Sequence, residues 1–147
     1  MEIKPEVLSV PVGNTSHLVD AYHVHACPDR YSYRPTRYIT FRPTGGAMAA
    51  VYQNDVIYVF CPNGALPQHV APEHRTRVSR YIVDRLAAGL FSHPNDLYRF
   101  YVVSAQTAIP LPHRLRSSSI LQGHGHFTLA ALTSGQPKVA VASIVGM

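Results

Sequence analysis

Tyr38-Ile-Thr-Phe-Arg42, Pro43-Thr-Gly-Gly46 and Ala47-Met-Ala-Ala-Val-Tyr52 decide the fold class. The first and third segments are short, apolar and rich in β-branched and aromatic residues, as strands are. The middle segment is turn chemistry, because proline presets φ and glycine permits positive φ. Residues 38–52 therefore predict a β-hairpin. Gln53-Asn54-Asp55 reads as a second turn. Val56-Ile-Tyr-Val-Phe60 reads as a third strand, giving a three-strand meander.

Working outward, Tyr22, Val24 and Ala26 alternate with His23, His25 and Cys27, which is a strand period. Residues 5–27 as a whole read as extended or mixed. Ser16 could cap a short turn through Val19, but the run from His17 also fits a strand. Residues 28–37 and 62–71 read as loops. Pro72 suits a first helical turn, Val78, Ile82 and Leu86 form an apolar stripe, and Gly89 is a natural stop. Leu97–Val103 predicts another strand. Pro110, Pro112 and the serines at 117–119 predict a loop. Residues 128–133 predict a short helix capped by Thr128, and 138–145 a closing strand. The sum is an α+β chain. Its sheet is expected to be curved and mostly antiparallel, five- to six-stranded or a small barrel, with one main helix at about 72–88 and a short one at about 128–133.

The chain has 147 residues, 46% of them hydrophobic, which suits a single domain over 1–147 with a real core. No apolar run approaches the roughly 18 residues that a membrane span needs. The N-terminus lacks the basic start and apolar stretch of a secretory signal, so a cytoplasmic protein is expected. Cys27 and Cys61 fit that compartment as free thiols. No cofactor is implied, a membrane partner is not expected, and a homo-oligomer is compatible with the sequence.

The net charge is +5, and eleven of the thirteen cations are arginine. A guanidinium matches phosphate with two hydrogen bonds. A GC-rich source would also raise arginine, alanine, proline and histidine together. The arginines gather in 30–42, 75–80 and 114–116, which points to a composite anion site. In 30–42, Tyr33, Arg34, Arg37, Tyr38 and Arg42 interleave cations with aromatics that could hold phosphates and stack bases. A tyrosine-packed loop with solvated arginines would read the same way. In 112–126, His113, Arg114, Arg116, Ser118 and His124 concentrate donors in what reads as an anion-binding loop.

Two further patterns bear on chemistry. His23-x-His25-x-Cys27 on one strand would point three metal ligands the same way, although polar residues on a half-buried strand explain it more simply. His126-Phe-Thr128 has the histidine-x-threonine form of two-histidine phosphoesterases, in which paired histidines serve as acid and base. His25 is the nearest second histidine, and Thr128 as a helix cap explains the same residues without catalysis.

Arg37-Tyr-Ile-Thr-Phe-Arg42, the hairpin into Val56–Phe60, Tyr98-Arg-Phe-Tyr-Val-Val103, the Pro110-Leu-Pro112 loop and His126-Phe-Thr-Leu-Ala-Ala-Leu132 follow one another in a layout that resembles PUA-like domains (the EVE, ASCH and YTH relatives) over about residues 20–135. The resemblance implies a small barrel that binds RNA or DNA, sometimes holding a modified base in an aromatic pocket, and often encoded near defence systems. The chain has no tryptophan, so Tyr33, Tyr38 and Tyr101 would have to stack. The leading expectation is a non-catalytic nucleic-acid or nucleotide binding module. A two-histidine phosphodiesterase and a protein-interaction or inhibitor module are the alternatives.

Overall fold

A computed structural model describes residues 6–29, 36–43, 48–117, 125–134, 138–139 and 143–144, with 107, 112–117, 125, 138–139 and 143–144 described as backbone. The fold is α+β. Seven strands follow the order β2-β5-β4-β3-β1-β6-β8 in an open sheet, and β7 pairs with β5. In chain order they are β1 (Glu6–Pro11), β2 (Val24–Pro28), β3 (Tyr38–Arg42), β4 (Met48–Phe60), β5 (Tyr98–Ser117), β6 (Gly125–Thr128), β7 (Lys138–Val139) and β8 (Ser143–Ile144). The helices are α1 (Ser16–Tyr22), α2 (Pro72–Ala87) and α3 (Leu129–Leu132). The residues group into two compact units. One comprises Met1–Gly13, Ser32–Asn54 and Ser104–Met147, and the other Asn14–Tyr31 and Asp55–Val103.

In the first unit β1 pairs parallel with β3 (Leu8 opposite Ile39) and antiparallel with β6 (Leu8 opposite His126). Its two neighbours take up the peptide groups on both of its edges, and side chains on both of its faces, Val7, Leu8, Ser9 and Val10, are all buried. That burial explains why no clean alternation marks β1 in the sequence. The hairpin pairing is present, with Thr40 opposite Val51. The turn expected at 53–55 is not: β4 runs unbroken for 13 residues. The amide of Asn54 donates to the carbonyl of Arg37 at 2.9 Å, so the ladder continues where a turn would have released it. Val7, Met48, Val51, Leu111, Phe127 and Leu132 form the core of this unit. Residues 110–117 are strand rather than loop. Pro110 and Pro112 are two apart, so their missing N–H groups fall on one side of the strand, where they interrupt only one ladder. Thr128 Oγ1 accepts from the Ala131 amide at 3.1 Å and caps α3 as its residue type suggests.

The second unit holds the expected main helix. Val78, Tyr81, Ile82 and Arg85 of α2 are buried, and Gly89 follows it at φ 69°. Phe60 of β4 stacks on Phe100 of β5, with ring centroids 4.2 Å apart. The run from Ser16 is a helix, not a strand, because Leu18 and Val19 are buried and Tyr22 packs on the same core. Its stop is His23, in the left-handed region at φ 55° and ψ 41°, whose amide donates to Val19 at 2.8 Å. Glycine usually takes this position, and histidine tolerates it at a cost. A C-cap histidine carries no sequence mark comparable to glycine.

β2 ends the strand order, so half of its peptide groups face away from β5. The bonds from Val103 N to His23 O (3.0 Å) and from Asp29 N to Leu97 O (3.1 Å) show that odd-numbered residues face β5. Even-numbered ones therefore face outward. Pro28 has no donor to offer there. Ala26 has both groups, and α2 satisfies each. Its N–H donates to Tyr81 Oη at 3.0 Å, and its carbonyl accepts from Arg85 Nη1 at 2.7 Å. Arg85 also donates to Tyr81 Oη at 2.8 Å and, through Nε, to the Leu90 carbonyl at 3.1 Å. Its guanidinium lies 4.2 Å from the Phe91 ring centroid.

Arg85→Met should therefore cost about 3 kcal/mol, because the buried Ala26 carbonyl and the part-buried Leu90 carbonyl lose a charged donor. Tyr81→Phe, which strands one buried N–H, should cost about 1–2 kcal/mol. Urea unfolding measures both, and a loss below 0.5 kcal/mol in either would contradict the bonding described. A second prediction concerns pH. Burial, and then the neighbouring Arg77, lower the pKa of His23 below its ordinary 6.5, against a smaller opposing effect of Asp20. The unfolded chain then binds the proton more readily, so this residue's contribution to stability is full above pH 6.5 and falls as pH drops below it. His23→Asn, which tolerates the left-handed backbone and does not titrate, should flatten that part of the pH dependence in thermal unfolding between pH 7.5 and 5.

Candidate functional site

The arginine-tyrosine stretch divides sharply once folded. Arg30, Tyr33 and Arg34 lie outside the described residues. Arg37 is exposed, and its guanidinium carbon stands 5.7 Å from the centroid of the Tyr38 ring. Tyr38 is half-buried and packs against the core of the first unit. It is anchored on one side and carries the cation beside it. Arg42 is different. It is 4% exposed. Its Nη1 donates to Ser9 Oγ at 3.2 Å, and Ser9 Oγ in turn lies 3.5 Å from Met48 Sδ. Burial pulls its pKa down to about 10. Arg42 is thus an interior residue, not the surface phosphate contact that its place in the stretch suggests.

The second stretch is a strand where it was expected to be a loop. His113, Arg114 and Arg116 lie in β5, while Ser118 and His124 fall outside the described residues. Arg116 is in register with Lys138 on the parallel strand β7. Two cationic residue types thus occupy matching register positions on neighbouring strands. Lys138 was missed in the sequence because nothing near it is basic.

The arginines of 75–80 and beyond are largely internal ligands. Arg75 Nη1 donates to the carbonyls of Pro67 (2.8 Å) and Val70 (3.3 Å). Arg77 Nη1 reaches those of Val103 (3.1 Å) and Tyr22 (3.4 Å). Arg99 binds Asp29 Oδ1 through Nε at 3.2 Å and Nη2 at 3.1 Å. Arg80 is exposed. Tyr101, which the PUA-like layout would use for stacking, is 2% exposed, and burial raises its pKa. A cleft of about 310 Å³ in the second unit is lined by Pro28, Asp29, Asp96 and Leu97. Its charge is of the wrong sign for a phosphate.

The metal and catalytic patterns fare as follows. His23 terminates α1, whereas His25 and Cys27 lie on β2 and are buried, so the three do not share one strand face. Among the described residues no group of three or more His, Cys, Asp or Glu could hold a metal ion. Both cysteines are free thiols. His126 and His25 are 1% and 4% exposed and belong to different units. The Thr128 hydroxyl is engaged in the α3 cap.

Every ligand-binding candidate that is described (Arg37, Tyr38, Arg42, His113, Arg114 and Arg116) belongs to the first unit. Searches of protein-family models, of curated proteins and of solved structures gave no match.

Arg37 and Arg42, five residues apart in sequence, should respond oppositely to truncation. Arg42→Ala removes a buried side chain and should lower the unfolding free energy by about 2–3 kcal/mol. Arg37→Ala should change it by less than about 0.5 kcal/mol. Equal effects in urea unfolding would contradict these placements.

Proposed function

We propose that this protein is a non-catalytic module that binds a phosphate-bearing ligand, a nucleic acid or a nucleotide, through its first unit. The supporting observation is the register of Arg116 with Lys138. Backbone pairing places two cationic residue types at matching positions on neighbouring strands, and a phosphate accepts hydrogen bonds from both types. Arg37, exposed beside Tyr38 in the same unit, supplies a further cation with an aromatic neighbour. Arg114 lies two residues before Arg116 on β5.

In this reading Arg37, Arg114, Arg116 and Lys138 contact phosphate, and Tyr38 lies against a base or sugar. Arg42 supports β3 from within. The PUA-like layout, and with it any link to a defence or modification system, belongs to the same proposal and rests on element order alone. No observation favours the phosphodiesterase alternative, since His126 and His25 are both buried. The interaction-module alternative likewise gains no specific support.

The test is the salt dependence of oligonucleotide binding, followed by fluorescence anisotropy. Affinity should fall steeply with salt. Arg37→Ala, Arg114→Ala and Lys138→Ala should each weaken binding and reduce the slope of log K against log salt by about 0.7–0.9. Absence of binding at low salt to DNA, RNA and nucleotides would overturn the proposal, as would slopes identical to the parent in all three variants.

A further inference from the structure

In the cleft of the second unit, Pro28 ends β2 and Asp29 follows it, while Asp96 and Leu97 lead into β5. Both sides are held by backbone bonds. The Asp29 amide donates to the Leu97 carbonyl at 3.1 Å, and the Asp96 amide closes a turn on the His93 carbonyl at 2.9 Å. That turn is braced from outside. The Asn63 amide donates to the Pro94 carbonyl at 3.0 Å, as does Cys61 Sγ at 3.1 Å, and Asn63 Nδ2 donates to Asn95 Oδ1 at 2.7 Å. The cleft of about 310 Å³ is therefore formed in the free protein, as binding pockets usually are.

Two carboxylates there meet one guanidinium. Arg99 holds Asp29 through Oδ1 alone, which leaves Oδ2 open to a ligand. Asp96 is exposed, and among the described residues nothing bonds to its carboxylate. Even with Arg99 counted, the cleft is negative on a protein whose total charge is +5. Its other two residues are apolar, and Leu97 is 55% exposed. We infer that this cleft receives one basic side chain, lysine or arginine, of a polypeptide partner. The alkyl stem lies on Leu97 and Pro28, and the charged head meets Asp29 Oδ2 and Asp96, which is how such amphipathic side chains divide themselves. The volume is at the low end for small-ligand pockets and suits one long side chain. The protein's net charge repels a polybasic segment, so the partner presents a lone cation in neutral or acidic surroundings. The phosphate-ligand reading concerns the first unit, and this inference does not rest on it.

Backbone amide NMR of the full chain, titrated with acetyl-Gly-Arg-Gly-amide and with its lysine and norleucine analogues, tests this. Norleucine keeps the stem and lacks the charge. The amides of Asp29, Asp96 and Leu97 should shift, and the arginine or lysine peptide should bind about three- to fivefold more tightly than the norleucine peptide, the range of an exposed ion pair. Added salt should shrink that ratio. Asp96→Asn leaves Asp29 balanced by Arg99 and should bring the ratio to about one, with the rest of the spectrum unchanged because the Asp96 carboxylate bonds nothing in the fold. Asp96→Glu should keep the preference, and Leu97→Ser should weaken all three peptides. A parent ratio of one, a ratio unmoved by Asp96→Asn, or shifts confined to other residues overturns the inference. So does tighter binding of free n-butylguanidinium than of the arginine peptide, which would make a small free cation the ligand. Shifts of the same three amides on concentrating the protein alone would make a second copy the occupant and overturn it too. If Asp96→Asn does not fold, the parent ratio and its decline with salt decide.

Discussion

The bonds from Tyr81 and Arg85 to the peptide of Ala26 are the constraint on which the second unit depends. A strand at the end of a sheet carries an outward row of peptide groups, which must find partners or water. Ala26 is 1% exposed, so water is not available to it. Two residues one helical turn apart take the place of a neighbouring strand, one accepting and one donating. That requirement fixes which face of α2 meets β2. It also explains why an arginine sits among Tyr81, Phe91 and Tyr98, whose rings surround its guanidinium. Arginine suits the position because a planar fork can serve several carbonyls and lie against rings at once. A lysine could not do both.

The same logic recurs along α2. Arg75 and Arg77, like Arg85, end on backbone carbonyls. This explains why α2 was legible in the sequence and the role of its arginines was not. The helix announces itself through Val78, Ile82 and Leu86, because burial of one face imposes a period. A carbonyl ligand imposes none: its partner lies anywhere in the chain, from Tyr22 to Val103, and any residue type can offer a carbonyl. The cluster at 75–80 looked like a charged patch for that reason. Only Arg80 of the three is exposed.

The strands show the same limit. Tyr38–Arg42 was legible to the residue, because its β-branched and aromatic run is bounded by turn residues. The continuity of β4 through Gln53-Asn54-Asp55 was not legible, because those residue types favour turns and only a tertiary partner, the Thr36–Arg37 backbone, holds them extended. β1 and the proline-bearing part of β5 were missed for related reasons. The first is buried on both faces and loses its alternation. The second has proline donors missing from only one side. The candidate site was therefore only partly legible. Arg37 and Tyr38 keep the character their sequence suggests. Arg42 does not: it is buried and donates to Ser9 Oγ, a partner on another strand that no local pattern marks.

These placements change what the net charge of +5 means. A guanidinium bonded to carbonyl oxygens is satisfied in hydrogen bonding but not neutralised, since a carbonyl carries no net charge. Arg75, Arg77 and Arg85 thus still contribute to the field around the protein while part of their donor capacity is taken up by carbonyls. The two effects separate in kind. The interior cations raise attraction to every anion at long range, and salt screens that attraction without regard to the ligand. The cations of the first unit, Arg37, Arg116 and Lys138, can add contacts that depend on where phosphates lie. A basic protein of this construction attracts polyanions whether or not it has a site. Selectivity among anions therefore cannot be read from the net charge; it depends on contacts whose positions are fixed by the fold.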